Sequence, residues 1–197
     1  MSVRVLMISG SLRAGSYNSA LLRLLPSLAP ASFAMDTAPS FAEFPFYDAD
    51  EHQRAGTPEA VLALAEAIRR SDGVVIVSPE YNWTIPGALK NAFDWLSRVE
   101  NQPLKGKAVA LQSASAGPLG GARMQYHMRM MLTFLEANLV ATPEIFVGLA
   151  PSKFSEDRSQ LLDGTLRTMI EAQLRKLEDV IRMTNWANAP DNHAISG

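Results

Sequence analysis

The sequence of 197 residues contains no cysteine and only three histidines. The absence of cysteine excludes disulfides, iron–sulfur clusters, thiolate zinc sites and thiol nucleophiles. No two of the histidines, His52, His127 and His193, have the spacing of metal ligands, so we expect no bound metal. Thiol chemistry and metal chemistry are therefore both poor expectations for this chain.

An excess of charge of one sign is also lacking, because 18 basic residues stand against 20 acidic ones and the formal net charge is -2. A chain so close to neutral has no long-range field to recruit a polyanion, so we expect no nucleic-acid partner. No apolar run approaches the roughly 20 residues that a membrane span needs, and the first ten residues are too short for a signal peptide. We therefore expect a cytoplasmic protein that does not contact a membrane.

A hydrophobic content of 47% and this chain length suit one compact domain. We place that domain at residues 1–183 and expect residues 184–197 to form a polar, loose tail. Short β-branched runs alternate with helical patterns along the domain, which predicts an α/β fold with a doubly wound parallel sheet. Ligands of such sheets bind outside the carboxyl ends of the strands, so the loops after the strands carry the information on function.

Hydrophobic periodicity gives the expected bounds of the elements. Strands are predicted at residues 3–9, 33–37, 73–78, 108–113 and 139–147, and Pro143 in the last of them favours a sheet edge or a bulge. Helices are predicted at residues 18–28, 58–70, from 86 onward, 121–137 and 159–182. Asn18 is the expected N-cap of the first of these helices. Residues 38–56 lack periodicity and are expected to be an irregular connection.

The first loop, residues 10–18, brings hydroxyls, an amide and one guanidinium to the start of a helix. Free backbone N–H groups and the positive end of the helix dipole favour an anion there, and this donor set suits a phosphate monoester. The loop has neither the GxGxxG spacing nor the pattern of a P-loop nucleotidase. The alternative is a polar turn and helix cap with an exposed arginine, and the loop alone does not decide between the two.

The second loop, residues 78–87, is stiffened by proline at both ends and carries two aromatic residues, Tyr81 and Trp83. A rigid backbone beside these rings can lie against a flat heteroaromatic ring, with Asn82 and backbone amides at its polar edge. The alternative is a stiff loop whose aromatic side chains cover the core.

The third loop, residues 113–122, is rich in glycine and alanine, so its backbone N–H groups can approach a ligand and stabilise negative charge. This signal is weak alone because glycine-rich loops are common. Together the three loops offer a phosphate site, a flat-ring site and free N–H donors, which is the shape of flavin mononucleotide (FMN).

Three sequence motifs, SLRAGSYN, PEYNWTIPGALKNAFDWLSR and GGARMQYHMR, follow one another on these loops. With them the chain resembles the flavodoxin-like NAD(P)H-dependent FMN reductases, in particular the chromate and quinone reductase branch. The resemblance implies a five-stranded sheet of order 2-1-3-4-5, FMN as cofactor and NADPH or NADH as co-substrate. It also implies a set of cofactor-binding residues: Ser11, Arg13, Ser16, Tyr17 and Asn18 for the phosphate; Pro79, Glu80, Tyr81, Asn82 and Trp83 along the isoalloxazine; and Ser115 with Gly117 on the third side. Trp83 stands where relatives often have tyrosine, which leaves the substrate preference open.

The same resemblance implies that hydride passes from NAD(P)H to the flavin and then to a quinone, flavin, azo or chromate acceptor by ping-pong turnover. No side chain is expected to act as a catalytic group, because the flavin carries the hydride. The alternative function is a flavodoxin-type electron carrier. Such a carrier would be expected to present an acidic rim to its partners, and no such rim is evident in this sequence.

The fourth predicted helix is rich in methionine, and Met130 points away from Met128 and Met131. This pattern favours a helix face that meets another subunit, and the alternative is a core helix with one surface methionine. The resemblance implies a homodimer or homotetramer, in which Arg123 and Tyr126 could lie at the mouth of a neighbour's flavin pocket.

Overall fold

A computed structural model describes residues 2–187 of the protein. Its strands are β1 Val3–Ser9, β2 Phe33–Thr37, β3 Gly73–Val77, β4 Ala108–Ala114, β5 Asn138–Leu139 and β6 Ile145–Val147. They form a parallel sheet in which β1, β3 and β4 are the inner strands and every residue of β3 is buried. The strand order β2-β1-β3-β4-β5 confirms the predicted topology, and the sixth strand also pairs with β4.

The sixth strand arises because the predicted strand 139–147 is interrupted. Its first part, β5, pairs with the beginning of β4, and its second part, β6, pairs with the end of β4. Pro143 lies between the two parts and has no N–H to donate to a ladder. The expectation of one continuous strand was therefore wrong, whereas the expected irregularity at an edge is present.

Helices cover both faces of the sheet, and their bounds differ from prediction at several ends. Residues 49–55 form a short helix inside the segment predicted to be irregular, capped by the Asp48 side chain. The last helix begins at Gly164 rather than at residue 159, and it continues through Ala187. It thus includes the first four residues of the predicted tail, while residues 188–197 lie outside the described part of the chain. The helices are α1 Tyr17–Leu28, α2 Ala49–Ala55, α3 Glu59–Arg70, α4 Gly87–Leu96, α5 Ala122–Phe134 and α6 Gly164–Ala187.

The alternation of side chains along β1 supplies both layers of the core. Val5 and Met7 pack with α1 and α6 on one face, and Leu6 and Ile8 pack with α3, α4 and α5 on the other. Two buried layers fix the sheet, and the carboxyl ends of its inner strands are thereby held at one edge. Within residues 2–187, no helix combines the length and the apolar character needed to cross a membrane.

Candidate functional site

The three loops that follow β1, β3 and β4 touch one another at the carboxyl edge of the sheet. Gly10 lies so close to Ser78 that an added Cβ would stand 2.3 Å from the Ser78 Oγ and 2.9 Å from its Cα. On the other side, Gly121 packs against Ser113 at the end of β4, where an added Cβ would come within 2.7 Å of the serine Cβ and 3.9 Å of the Glu80 Cβ in the second loop. Gly10 therefore lets the first and second loops meet, and Gly121 lets the third loop fold back close to β4 beside the second loop.

Asn18 joins the first loop to β4. Its side chain is buried, its Nδ2 donates to the Ala114 carbonyl at 2.9 Å, and its Oδ1 accepts from the Ala114 N–H at 2.8 Å. Its own backbone N–H donates to the Ser16 Oγ at 3.1 Å, so Ser16 caps α1 where Asn18 was expected to do so. Both amide atoms of Asn18 are thus engaged with main chain, and this contact positions the loop; among residues 2–187 the second hydrogen of the Nδ2 group has no acceptor.

The first loop keeps a set of unused hydrogen-bond donors. The hydroxyl oxygens of Ser11 and Ser16 accept from backbone N–H groups, and among residues 2–187 neither hydroxyl hydrogen has an acceptor. Ser11 and Ser16 are both buried beneath the loop surface. Across the same described residues, four backbone N–H groups of the loop also lack acceptors, those of Leu12, Ala14, Gly15 and Tyr17. Such a donor set can surround an anion with several oxygens.

Two guanidinium groups flank this loop. Arg13 is exposed and its Nη2 donates to the Gly15 carbonyl at 3.4 Å. Arg158, from the distant segment 154–161, donates to the same carbonyl oxygen, and its Cζ lies 4.4 Å from the centre of the Tyr17 ring. Sequence analysis missed Arg158 because 143 residues separate it from Gly15 and no local motif marks it.

The second loop contains a tight turn that holds its aromatic residues outward. Tyr81 and Thr84 exchange two backbone hydrogen bonds of 3.0 Å, and the two residues between them, Asn82 and Trp83, have φ values of 48° and 72°. Left-handed conformations at both central positions are typical of a type I′ turn. Tyr81 is 47% exposed and Trp83 is 67% exposed. The alternative in which these aromatic side chains cover the core is therefore wrong.

An ion pair between the second loop and α5 supports that turn. The Glu80 carboxylate, only 8% exposed, accepts from both Nε and Nη2 of Arg123, with the Nε contact at 2.6 Å. It also accepts from the Met124 N–H at 3.3 Å. The Arg123 guanidinium lies 4.3 Å from the centre of the Trp83 ring, which is a cation–π distance. Glu80 is thus held by α5, and Arg123 connects it to the exposed indole.

The third loop presents backbone N–H groups next to the other two loops. The Ser113 hydroxyl donates to the Gly120 carbonyl at 2.6 Å, and the Ser115 hydroxyl donates to the Gly117 carbonyl at 3.1 Å. The Ser115 N–H is used by the Val147 carbonyl in β6. Among the described residues, the N–H groups of Ala116 and Gly117 have no acceptor, so these two can stabilise negative charge on a ligand.

Comparison with known proteins decides the family. The family model described as NADPH-dependent FMN reductase matches residues 3–152. A quinone reductase of Escherichia coli K12 is 50% identical over 165 residues, which cover 83% of this chain and 88% of the relative. The chain belongs to the NADPH-dependent FMN reductase family.

Two further relatives agree with this assignment. An NAD(P)H-dependent FMN reductase of Pseudomonas aeruginosa is 41% identical over 180 residues, covering 91% of this chain and 96% of the relative. The solved structure of FerB, a flavoenzyme NAD(P)H:(acceptor) oxidoreductase from Paracoccus denitrificans, has a TM-score of 0.81 and 30% identity, with 92% of this chain and 98% of FerB covered. The protein is thus an oxidoreductase that uses FMN and NAD(P)H, and the predicted family, cofactor and co-substrate are confirmed.

The donor chemistry of the reductase fits FMN. The open hydroxyls and N–H groups of the first loop, with Arg13 beside them, match the oxygens and the charge of a phosphate monoester. The second loop offers a rigid turn for a planar ring, and the third loop offers the two open N–H groups. Asn18 differs in that both polar atoms of its side-chain amide are engaged, with the main chain of Ala114.

Proposed function

We propose that the protein reduces quinones with NAD(P)H through bound FMN, and that flavins, azo compounds and chromate are alternative acceptors. The contact of the three loops carries this proposal, because it places phosphate donors, a rigid turn and open N–H groups on one surface. The names of the relatives support the acceptor class: the Escherichia coli protein and those of Pseudomonas putida are quinone reductases.

In this proposal each loop holds one part of FMN. Ser11, Arg13 and Ser16, with the Tyr17 N–H, bind the phosphate, while Asn18 holds the loop against β4. The segment from Pro79 to Trp83 lies along the isoalloxazine ring. Backbone N–H groups between Ser115 and Gly117 stabilise negative charge at its pyrimidine end.

The protein itself supplies binding and electrostatics rather than a nucleophile or a general base. Bound FMN supplies the redox chemistry, accepting hydride from the nicotinamide and giving electrons to the acceptor. Tyr81 and Trp83 are exposed at the second loop, so they border the place where a flat substrate would stack. Nicotinamide and acceptor would share that open face in turn, and ping-pong kinetics follow from this sharing.

We also propose that the reductase acts in the cytoplasm as a homodimer or homotetramer. The exposed face of α5 supports an interface there, because Tyr126, Met130 and Phe134 are 51%, 66% and 83% exposed. Met124 and Met128 are buried in the core, whereas the exposed Met130 side chain can contact another subunit.

Steady-state oxidation of NADPH by the FMN-loaded protein tests this function. We expect turnover with a quinone as second substrate, and parallel double-reciprocal lines when both substrates are varied. NADH in place of NADPH measures the nicotinamide preference. A protein that binds FMN but does not oxidise either nicotinamide in the presence of quinone would instead be an electron carrier. Intersecting lines would contradict the proposal that nicotinamide and acceptor bind in turn at one open face, but they would leave the reductase assignment in place.

A further inference from the structure

The carbonyl of Gly15 accepts hydrogen bonds from two arginines at once, Arg13 and Arg158. Two guanidinium groups that donate to one oxygen bring two positive charges to the same side of the first loop. Two positive charges that share one acceptor oxygen repel each other, and the repulsion increases where water is partly excluded. The pair therefore favours a negatively charged ligand between or beside the two groups.

No carboxylate neutralises this pair among the described residues. Neither Arg13 nor Arg158 has an Asp or Glu oxygen within 4.0 Å in residues 2–187, unlike Arg123 with Glu80. The nearest acid in sequence, Asp157, accepts instead from the hydroxyls of Ser155 and Ser159. The Ser155 hydroxyl first, and then the backbone N–H and hydroxyl of Ser159, lower the pKa of Asp157 to about 2, so Asp157 stays ionised but is held by its own loop, more than 4.0 Å from either guanidinium.

The position of Arg158 is held by the fold rather than by its own preference. Its φ of 59° is left-handed, a conformation that non-glycine residues rarely adopt. The loop that carries it is closed by an antiparallel bridge between Phe154 and Leu161, and the Phe154 ring packs 5.5 Å from the Tyr17 ring. Because Arg158 covers the Tyr17 ring, its guanidinium is fixed directly beside the open N–H groups of the first loop.

We propose that Arg158 is a second cation for the FMN phosphate, and that with Arg13 it makes the site select phosphorylated flavin over riboflavin. This inference rests on the proposed position of the phosphate at the first loop. A phosphate monoester carries a charge of about -1.5 to -2 near neutral pH, which two guanidinium groups balance. Riboflavin lacks that charge, so Arg158 contributes to the binding of FMN alone.

The test measures the dissociation constants of FMN and riboflavin for the apoprotein by quenching of flavin fluorescence, at low and high salt. Arg158→Gln removes the charge and keeps most of the side-chain length. Arg158→Gly removes the charge and also relieves the left-handed backbone, so it folds even if the glutamine variant is unstable. Arg175→Gln is the matched control, because Arg175 is exposed on α6. Thermal unfolding of each apoprotein verifies folding.

We expect both Arg158 variants to bind FMN about 10- to 100-fold more weakly, the range of one charge-assisted hydrogen bond. Riboflavin affinity should stay within about twofold, and the salt dependence of FMN binding should fall because one cation is gone. Arg175→Gln should match the wild type in all three measurements.

Two results would overturn the inference while leaving the proposed function in place. Unchanged FMN affinity in both Arg158 variants would show that the phosphate does not use this cation. Equal loss of FMN and riboflavin affinity would show that Arg158 only holds the loop. If the wild type itself bound neither flavin, the proposed phosphate site would fall and this inference with it.

Discussion

The arginines at the first and second loops differ in whether a carboxylate balances their charge. At the second loop, the nearly buried Glu80 is paired with Arg123 of α5, and the pair carries no net charge. In the first loop, Arg13 and Arg158 meet at the Gly15 carbonyl without a carboxylate among the described residues. Positive charge is therefore left unbalanced at one end of the site and neutralised at the other.

This difference matches the two ends of FMN in the proposed mode of binding. A charged tail is best bound by unpaired cations and open N–H groups, whereas a planar ring is best bound by a rigid, neutral surface. The ion pair at the second loop then holds the loop in its conformation, since Arg123 also lies against the Trp83 ring. The comparison teaches that charge balance distinguishes an arginine that binds a ligand from one that supports a loop.

The largest effect is expected where the two loops touch. Gly10→Ala would place a Cβ 2.3 Å from the Ser78 Oγ and 2.9 Å from the Ser78 Cα, and rotation of the serine side chain cannot relieve the backbone contact. We expect a loss of about 2–3 kcal/mol in the free energy of unfolding, the upper range of overpacking, and weaker FMN binding. Urea denaturation measures the first and fluorescence quenching the second.

Gly87→Ala is the control for this substitution, because nothing lies within 4 Å of a Cβ at Gly87 and its φ is ordinary. Its stability should stay equal to the wild type or rise slightly. Adding Ser78→Gly to Gly10→Ala removes two of the three close atoms and should recover part of the lost stability. A Gly10→Ala protein as stable as wild type would mean that the loops can separate without cost.

Much of this architecture was readable from the sequence. Short β-branched runs such as β3, alternating with helical patterns, predicted the parallel sheet, and the confirmed strand order followed from the family resemblance. Local motifs also placed the three loops at one edge. The hydrophobic pattern did not predict the division of the strand expected at 139–147. The reason is that apolar residues continue through the point where the hydrogen bonds to β4 are interrupted.

Contacts between distant segments were the other part that the sequence did not reveal. Asn18 reads as a helix cap or a phosphate ligand, yet its amide bonds to Ala114, 96 residues away. Arg158 directly precedes the helix that was predicted from residue 159 onward, whereas the chain there folds back and the Leu162 N–H donates to the Lys153 carbonyl. Such contacts depend on tertiary packing, so no local periodicity indicates them.

A smaller loss of stability is expected when the arginine at the second loop is left without a carboxylate partner, as the arginines at the first loop are among the described residues. Glu80→Gln keeps the shape of the side chain but leaves Arg123 without its counter-charge. We expect a loss of about 1–2 kcal/mol in the free energy of unfolding, because Glu80 is nearly buried while Arg123 is partly screened by water. Urea denaturation measures this, and a double-mutant cycle with Arg123→Gln isolates the energy of the pair.

The control for Glu80→Gln is Glu136→Gln, which removes the partner of Lys105 in an ion pair more than 60% exposed on both sides. Its cost should stay below about 0.5 kcal/mol. If the two glutamine variants lost equal stability, the pair at the second loop would be an ordinary surface contact, and its contrast with the first loop would disappear.

The smallest effect on the free energy of unfolding is expected from substitutions of Trp83, although the KM for quinone should change clearly. Trp83→Gly removes a left-handed non-glycine residue, worth about 1–2 kcal/mol, and gives the asparagine–glycine pair that type I′ turns prefer. It also removes the contact with Arg123, worth about 0.5–1 kcal/mol, so the net change should be within about 1 kcal/mol. Trp83→Ala loses the same contact but keeps the strain, so it should be less stable than Trp83→Gly in urea. Because the proposed phosphate contacts lie in the first loop, FMN affinity should change less than the KM for quinone in both variants. A change in FMN affinity as large as that in KM would show that Trp83 serves mainly to hold the isoalloxazine rather than to border the substrate face.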